Sequence, residues 1–309
     1  MENIRYASVI VTYNRKKLLK EAVISLLNQD LKPENILIVD NASTDGTEIE
    51  LEQTVENNKC ISYYRLKENM GGAYGFWFGL NEASKLDVDW VSLSDDDAIY
   101  NNNYFSRISK SIEKNSNVLA FTGTVRLMDE SIQKSHRRRV DSWSTLRQSE
   151  VEENEYKKDF YFDIFTFVGA VISLKLIKRI GLPRKDYFIW YDDTEYSLRV
   201  RKYTKIMNVS HAEVIHKTKL PGSATTNANP TDWKQYYGVR NQMITVKKHA
   251  RNPLLACAYV VYRTIRRMAG TLIKRERRGY RKYMLQQDFT GLVDGLRSKV
   301  GINKKYTPK

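Results

Sequence analysis

Residues 36–47 read ILIVDNASTDGT, an apolar, β-branched run that breaks into Asp, Asn, Ser and Gly. The first four residues suit a strand buried on both faces, and the cluster from Asp40 to Gly46 is made of turn formers. The pattern recurs on either side. Residues 7–12 (ASVIVT) run into Tyr13-Asn14-Arg15, and residues 90–93 (WVSL) run into Ser94-Asp95-Asp96-Asp97. Residues 16–27 carry Leu18, Leu19, Ala22, Val23, Leu26 and Leu27 at helical spacing. Further helices are expected through 48–55, with Ser43, Thr44 or Asp45 as cap, and through 75–83, opened by Gly71-Gly72. Residues 61–66 read as a strand between them. Alternating strands and helices predict an α/β domain whose parallel sheet is covered on both faces. Ligands of such sheets sit beyond the carboxyl ends of the strands. Three polar clusters fall there: 12–15, 40–45 and 95–97.

Farther along, residues 126–159 are polar and lack a clean period, which predicts a long loop or insertion near the site. Residues 165–174 (FTFVGAVISL) return to strand character, and residues 209–215 form another apolar run that ends at His216.

Three successive carboxylates after an apolar strand point to a cation. Asp95 and Asp97 can share a face, and like-directed carboxylates repel unless positive charge lies between them. Mg²⁺ or Mn²⁺ is the natural partner, held by oxygen ligands and shared with phosphates. An isolated Asp run is commonly an exposed acidic turn; the position at the end of a sheet strand favours the cation. Asp192 and Asp193 follow the aromatic run Phe188-Ile-Trp190-Tyr191. A carboxylate against aromatic walls can serve as a general base, and the same pair also suits a helix N-terminus. Both hold if Asp192 caps while Asp193 points into a cleft. His216, followed by Lys217 and Lys219, can be an imidazole ligand or, as a single His more commonly is, a hydrogen-bonded structural residue. His136, His211 and His249 are read as structural. Arg65 and Asn69 precede Gly71-Gly72, a place where backbone can approach a diphosphate closely.

The net charge of +15 is concentrated. From Lys247 to Lys309 there are 17 Lys and Arg against three acids, so this tail carries 14 of the 15 net positive charges. Residues 254–282 have helical apolar spacing beside Arg263, Arg266, Arg267, Lys274, Arg275, Arg277 and Arg278. Such a helix either lies on an anionic membrane surface or packs its apolar face on the catalytic domain or a second subunit. No nucleic-acid module is recognisable. The organisation expected is therefore a domain over 1–248 and a basic helical region over 249–309. The opening residues lead straight into a strand, which predicts no signal peptide, and no run reaches the roughly 18–20 apolar residues of a membrane span. Cys60 and Cys257 form no framework, so a cytoplasmic protein with incidental thiols is expected, peripheral at the inner face of the cell membrane.

Taken in order, Thr12-Tyr-Asn-Arg15, Val39-Asp-Asn-Ala-Ser-Thr-Asp-Gly-Thr47, Asn69-Met-Gly-Gly72, Asp95-Asp-Asp97, Tyr191-Asp-Asp-Thr-Glu-Tyr196 and His216 resemble family 2 glycosyltransferases of the GT-A fold. The match spans roughly residues 8–248, and the triple Asp and the 190–196 segment resemble the galactofuranosyltransferase branch in particular, with rhamnosyltransferases close by. The resemblance implies a role for each residue. Thr12 and Asp40 contact the nucleoside, Arg65 the diphosphate, and Asp96 the ribose or donor sugar. Asn14, Arg15, Asn69 and Gly72 belong to the donor side; Trp190, Tyr191 and Asp192 belong to the acceptor side. Asp95, Asp97 and His216 hold the divalent metal, and Asp193 is the base of a single, inverting displacement. The donor implied is UDP-galactofuranose first and dTDP-rhamnose second. The acceptor implied is a cell-surface glycan, often lipid-linked, with a homo-oligomer allowed. A non-catalytic sugar-nucleotide binder on the same fold is the alternative from another class, and the intact acid set favours the enzyme.

Overall fold

The strand–helix alternation is present as β1 (Tyr6–Thr12), α1 (Lys16–Leu27), β2 (Asn35–Asp40), α2 (Thr47–Glu56), β3 (Ile61–Arg65), α3 (Gly72–Ala83) and β4 (Trp90–Asp95). The structure is a computed structural model, and it describes residues 4–218 and 232–308. Strands β3-β2-β1-β4 lie side by side and parallel. β1 is buried end to end because both faces are covered. Val9 and Val11 pack with Phe76 and Leu80 of α3, while Tyr6 and Ile10 pack with Leu19, Val23 and Leu26 of α1. That period of two, covered twice, is why the strands read as continuous apolar runs. Register aligns their ends: Thr12 pairs with Asp40, Asp40 with Arg65, and Val11 with Asp95.

Beyond β4 the sheet is mixed. The elements are β5 (Ala98–Tyr100), α4 (Tyr104–Lys114), β6 (Ala120–Arg126), β7 (Arg137–Ser142), β8 (Arg147–Glu150), β9 (Phe160–Phe162), β10 (Ile164–Phe165), β11 (Ala170–Ser173), α5 (Leu174–Ile180), α6 (Asp192–Val200) and β12 (Ile206–His216). β11 runs antiparallel between β4 and β6; β12 runs parallel to β6 and antiparallel to β5 and β9.

Several expectations are corrected. The segment 126–159 is not a plain loop: β7 and β8 pair with β10 in a separate three-stranded sheet. β7 and β8 are short and polar, and they lean on ion pairs and backbone bonds while the apolar β10 is buried. Arg139 pairs with Glu155, and buried Arg137 donates to the carbonyls of Gly123, His136 and Val168. Residues 165–174 are two strands, not one, separated at 166–169, and Leu174 already opens α5. None of Ser43, Thr44 or Asp45 caps α2 by a side-chain bond. Asp45 instead accepts from the backbone N–H of Lys16, the first residue of α1, at 3.1 Å.

The C-terminal part is α7 (Lys234–His249), α8 (Pro253–Ile273) and α9 (Arg281–Leu296). Asn252 caps α8 by accepting from Leu255 N–H, with Pro253 in the first turn. The helix expected over 254–282 stops at Ile273, where residues 275–277 make a short 3₁₀ turn before α9. α9 lies tight against α7: a Cβ at Gly291 would stand 2.7 Å from the Tyr236 carbonyl. Among the described residues no helix is long and apolar enough to cross a membrane.

Glu195 ties α6 to α7. It is fully buried, and it accepts from Arg199 Nε and His249 Nε2, both at 3.0 Å, with Lys248 Nζ at 3.4 Å. Burial alone would raise its carboxyl, but these basic partners outweigh it and hold it at about 2. Because the folded value lies below the ordinary 4.5, the stabilisation is full above that value and is lost as pH falls from there towards 2. Glu195→Gln is expected to cost about 3 kcal/mol near neutral pH. It should also flatten the fall of Tm across that acid window, measured by thermal unfolding from pH 7 to 3. An unchanged acid slope would remove the argument.

Candidate active site

The aligned strand ends bring five sequence-predicted side chains into contact. Thr12 Oγ1 donates to Asp96 Oδ2 at 2.6 Å. Arg15 Nη1 donates to Asp97 Oδ2 at 2.6 Å and to Asp96 Oδ1 at 3.2 Å. His216 pairs with Ala98 across β12 and β5, which sets its Nε2 3.0 Å from Asp97 Oδ1. Its Nδ1 is bonded to Gln133 Oε1 at 2.8 Å, a support that no motif marks. Lys219 lies outside the described residues.

Electrostatics make this a charge-deficient place. Asp96 and Asp97 are almost fully buried. Three carboxylates face one guanidinium, that of Arg15. Burial and the neighbouring Asp97 push Asp95 up to about 7. Burial raises Asp96 to about 6 against the pull of Arg15 and Thr12. Burial would raise Asp97 too, but the close approach of His216 and the charges of His216 and Arg15 hold it below the ordinary range. His216 is raised: burial opposes its charge, and Asp97 and Asp95 win.

The residues suit a hard divalent cation in charge and in ligand type, two carboxylates and an imidazole. Asp97 Oδ1 is buried and lacks a well-aligned hydrogen bond. As placed, no three His, Cys, Asp or Glu side chains among the described residues enclose a metal ion, and Arg15 holds one Asp97 oxygen.

On the donor side Asn14 and the 41–45 turn clasp each other. Asn14 Oδ1 accepts from Thr44 N–H at 2.7 Å, and Ser43 Oγ accepts from Asn14 N–H at 2.9 Å. Asp40 has no exposed surface. Its oxygens accept from Ser43 N–H at 2.9 Å and Tyr63 O–H at 2.5 Å. A direct base contact through Asp40 therefore requires Tyr63 to give way; as it stands, Asp40 shapes the turn. Arg65 donates to the Ser43 carbonyl at 3.0 Å and remains partly exposed beside it. Asn69 Oδ1 accepts from Gly71 N–H at 2.9 Å. Open space lies beside Gly72. Gly71 has φ +82°, and a Cβ there would meet the Phe188 carbonyl at 2.1 Å. Only glycine fits where α3 meets the segment 188–191.

That segment is strained. Phe188, Trp190 and Tyr191 have φ of 67°, 63° and 70°, and Asn14 and Ala42 across the cleft are also positive. Non-glycine residues rarely adopt this region, and they persist there only when surroundings over-determine them. Here the surroundings are two α7 side chains. Asn241 Nδ2 reaches the carbonyls of Tyr187, Ile189 and Trp190 at 3.0, 2.9 and 2.9 Å. Arg240 Nη2 reaches the Tyr187 carbonyl at 2.9 Å. Sequence reasoning passed over both. Their signal was a polar pair following the buried Tyr236-Tyr237 in a helix that is otherwise apolar on that side.

The Asp pair divides differently from the cap-and-cleft expectation. It is Asp193 that makes the helix-terminus bonds: its Oδ1 accepts from Thr194 N–H at 2.5 Å and from Thr194 Oγ1 at 3.1 Å. Arg138 Nη2 donates to that same Thr194 Oγ1 at 3.1 Å. Burial raises Asp193, and the Arg138 charge and the Thr194 bonds oppose it. Asp192 is buried and pushed well up, by burial first, then by Asp193 and by Asp95. The Asp pair and the Asp95 cluster thus share one electrostatic neighbourhood. Trp190 is 41% exposed at its rim, and the charges of Arg138, Arg263 and Arg267 all act on the Tyr191 hydroxyl, which burial raises.

The galactofuranosyltransferase GlfT1 of Mycolicibacterium smegmatis is 34% identical over 91 residues, 29% of each chain. The dTDP-rhamnosyl transferase RfbF of Shigella flexneri is 24% identical over 309 residues, 97% of this chain and 98% of its own. Among solved structures, GalNAc-T7 with UDP, GalNAc and Mn²⁺ superposes with a TM-score of 0.62 at 15% identity, over 80% of this chain and 48% of that one. The mannosyltransferase PcManGT of Pyrobaculum calidifontis, with GDP-Man and Mn²⁺, gives 0.56 at 16%, over 97% and 89%. The architecture is that of the GT-A glycosyltransferases. The family description "Glycosyl transferase family 2" matches residues 8–179. That span is more than half of the chain and holds Thr12, Arg15 and Asp95–Asp97, though it ends before Asp193 and His216, so this chain belongs to glycosyl transferase family 2.

Proposed function

We propose that this protein moves a sugar from a nucleotide-diphosphate donor to a hydroxyl of a glycan acceptor, with inversion at the anomeric carbon. The observation that carries the reading is the shared electrostatic neighbourhood of two carboxylate groups, Asp95–Asp97 with His216 and Asp192–Asp193 at the start of α6. One group suits a diphosphate and its counter-charge, the other a proton acceptor.

In this reading Thr12, Asn14, Asp40 and the turn that follows it shape the nucleoside side, and Arg65 and the N-terminus of α3 face the diphosphate. Asp95, Asp97 and His216 would hold Mg²⁺ or Mn²⁺. When bound, such a cation neutralises charge on the departing diphosphate. Trp190 offers a flat apolar wall to an acceptor sugar. Asp193 takes the acceptor hydroxyl's proton while that oxygen attacks the anomeric carbon from the face opposite the leaving group. The bond to the diphosphate oxygen breaks, and the nucleoside diphosphate leaves with the electron pair. One displacement inverts the configuration, with no enzyme nucleophile.

Two donors are supported by different observations. UDP-galactofuranose follows from the more identical but short match to GlfT1. dTDP-rhamnose follows from the match to RfbF along nearly the whole of both chains. A panel of UDP-galactofuranose, UDP-galactopyranose, UDP-glucose and dTDP-rhamnose with Mn²⁺ or Mg²⁺ decides between them by release of nucleoside diphosphate. Turnover of UDP-galactofuranose or of dTDP-rhamnose, lost on chelation and restored by added metal, is the expected result. Metal-dependent nucleotide binding without turnover of any donor, acceptor glycans supplied, would favour the binding-protein alternative.

A further inference from the structure

The helix α8 turns its larger side chains the wrong way for a core. Positions 254, 258, 262, 265, 269 and 272 step by four, four, three, four and three, which puts them on one face. That face is solvent-exposed: Leu254 is 85% exposed, Tyr262 59%, Ile265 57% and Leu272 54%, and Ile273 beside them 79%. The face packed on the protein is the opposite one, carried by Ala256, Val260, Thr264 and Thr271. Small side chains therefore meet the rest of the chain, and the apolar spacing visible in the sequence belongs to the outside. A lone exposed Leu needs no explanation, but a continuous stripe about 27 Å long does.

We propose that this stripe docks the protein on the surface of an anionic lipid bilayer. Charge selects this occupant. Arg263 and Arg266 stand exposed on one flank of the stripe, and Arg275 and Arg278 follow just past its end. Among the described residues none of these four has a carboxylate partner, whereas Arg267, turned inward, is paired with Asp288. Apolar side chains bordered by unneutralised guanidinium groups match an interface of acyl chains beneath negative headgroups. A second copy of the chain matches less well: a two-fold pairing of this face would bring the same arginines against each other. The arrangement also concerns the site. α8 packs through Ala256 and Val260 on Met243 and Val246 of α7, the helix whose Asn241 holds the carbonyls of Tyr187, Ile189 and Trp190, so the docked helix stands one helix away from the acceptor side. Resting on the function proposed above, this places a bilayer-anchored glycan within reach of the cleft.

The test is flotation of the full-length protein with vesicles of phosphatidylcholine alone and of phosphatidylcholine with 30% phosphatidylglycerol, about 0.15 M salt being the physiological setting. Binding to the anionic vesicles at least ten-fold above the neutral ones is expected. The pair Ile265→Glu with Leu272→Glu should abolish it, and Arg266→Glu should weaken it several-fold. Unchanged circular dichroism and Tm, and unchanged hydrolysis of a soluble donor, would show that these exposed substitutions leave fold and active site intact. Equal binding to both vesicle types, no binding to either, or variants that bind as the parent does would overturn the proposal. So would a dimer in sedimentation velocity that the Glu pair dissociates. Donor hydrolysis is read without vesicles, so failure of the docking and failure of the transferase reading are separate results.

Discussion

Asp193→Asn is expected to lower turnover by about 10²–10⁴-fold, the usual contribution of a positioned general base, while leaving affinity for the nucleoside diphosphate unchanged. The substitution is nearly isosteric. An Asn carbonyl can still accept from Thr194 N–H and Thr194 Oγ1, so the start of α6 keeps its bonds, and what is lost is the capacity to take a proton. Asp192→Asn separates the two carboxylates. Asp192 is the more buried, is raised well up, and lies in the field of Asp95. Its amide should disturb donor and metal binding at least as much as turnover. If Asp192→Asn instead removes turnover alone and Asp193→Asn does not, the base is Asp192. If both variants lose binding and turnover in proportion, neither is the base. The pH profile gives an independent check. Burial raises Asp193 against the opposing Arg138 charge, and a base must be ionised to work. Activity should therefore fall on the acid side through a value above that of an ordinary carboxylate. Arg138→Gln removes the opposing charge and should move that limb to higher pH.

How much of this was legible follows from where each signal resides. β1 to β4 and their helices are visible because their runs are buried on both faces and bounded by turn formers, so local pattern and tertiary environment agree. The level at which Thr12, Asp40, Arg65 and Asp95 end is a register property, yet it follows once the sheet is parallel. Residues 137–150 defeat the same reading. β7 and β8 are short, one face is largely solvated, and their cohesion comes from guanidinium groups that no apolar period records. The tail shows a different limit. Periodicity found an apolar face on residues 254–273 correctly, but a period cannot say what lies opposite. Small residues at 256, 260, 264 and 271 take the inward side. At the site, chemistry-bearing residues stood out by type: Thr12, Arg15, Asp96, Asp97 and His216 meet at the strand ends. The supports did not stand out, because Gln133 and Asn241 act through geometry that sequence alone does not contain.

Asn241 is where that hidden geometry should have the largest consequence. One amide nitrogen holds three successive-loop carbonyls, those of Tyr187, Ile189 and Trp190, in a site with no exposed surface. With two hydrogens for three acceptors, at least one bond is shared, so the loop is gathered rather than pinned at a single point. Asn241→Ala leaves the Ile189 and Trp190 carbonyls without this donor and leaves Arg240 Nε without its 2.9 Å acceptor. Unmade buried hydrogen bonds cost about 1–3 kcal/mol each, so a loss of about 2–4 kcal/mol in stability is expected, within what a domain of ordinary stability survives. The larger effect is on turnover. Positive-φ residues store about 1–3 kcal/mol each, and three of them, Phe188, Trp190 and Tyr191, lose a restraint at once. Relaxation of that strain moves the aromatic rim and the start of α6 away from their working positions, and a displacement of about 1 Å can cost 10²-fold in rate. Nucleoside binding should suffer far less than turnover, because Thr12, Asn14 and Asp40, at the ends of β1 and β2, touch Asn241 nowhere. Asn241→Asp sharpens the test: it keeps size and the acceptor for Arg240 but turns an oxygen towards the carbonyls, and should be as slow as the Ala variant. A folded Asn241→Ala protein with parental turnover would mean that the 188–191 backbone holds its shape without the amide, and that α7 only packs beside the site.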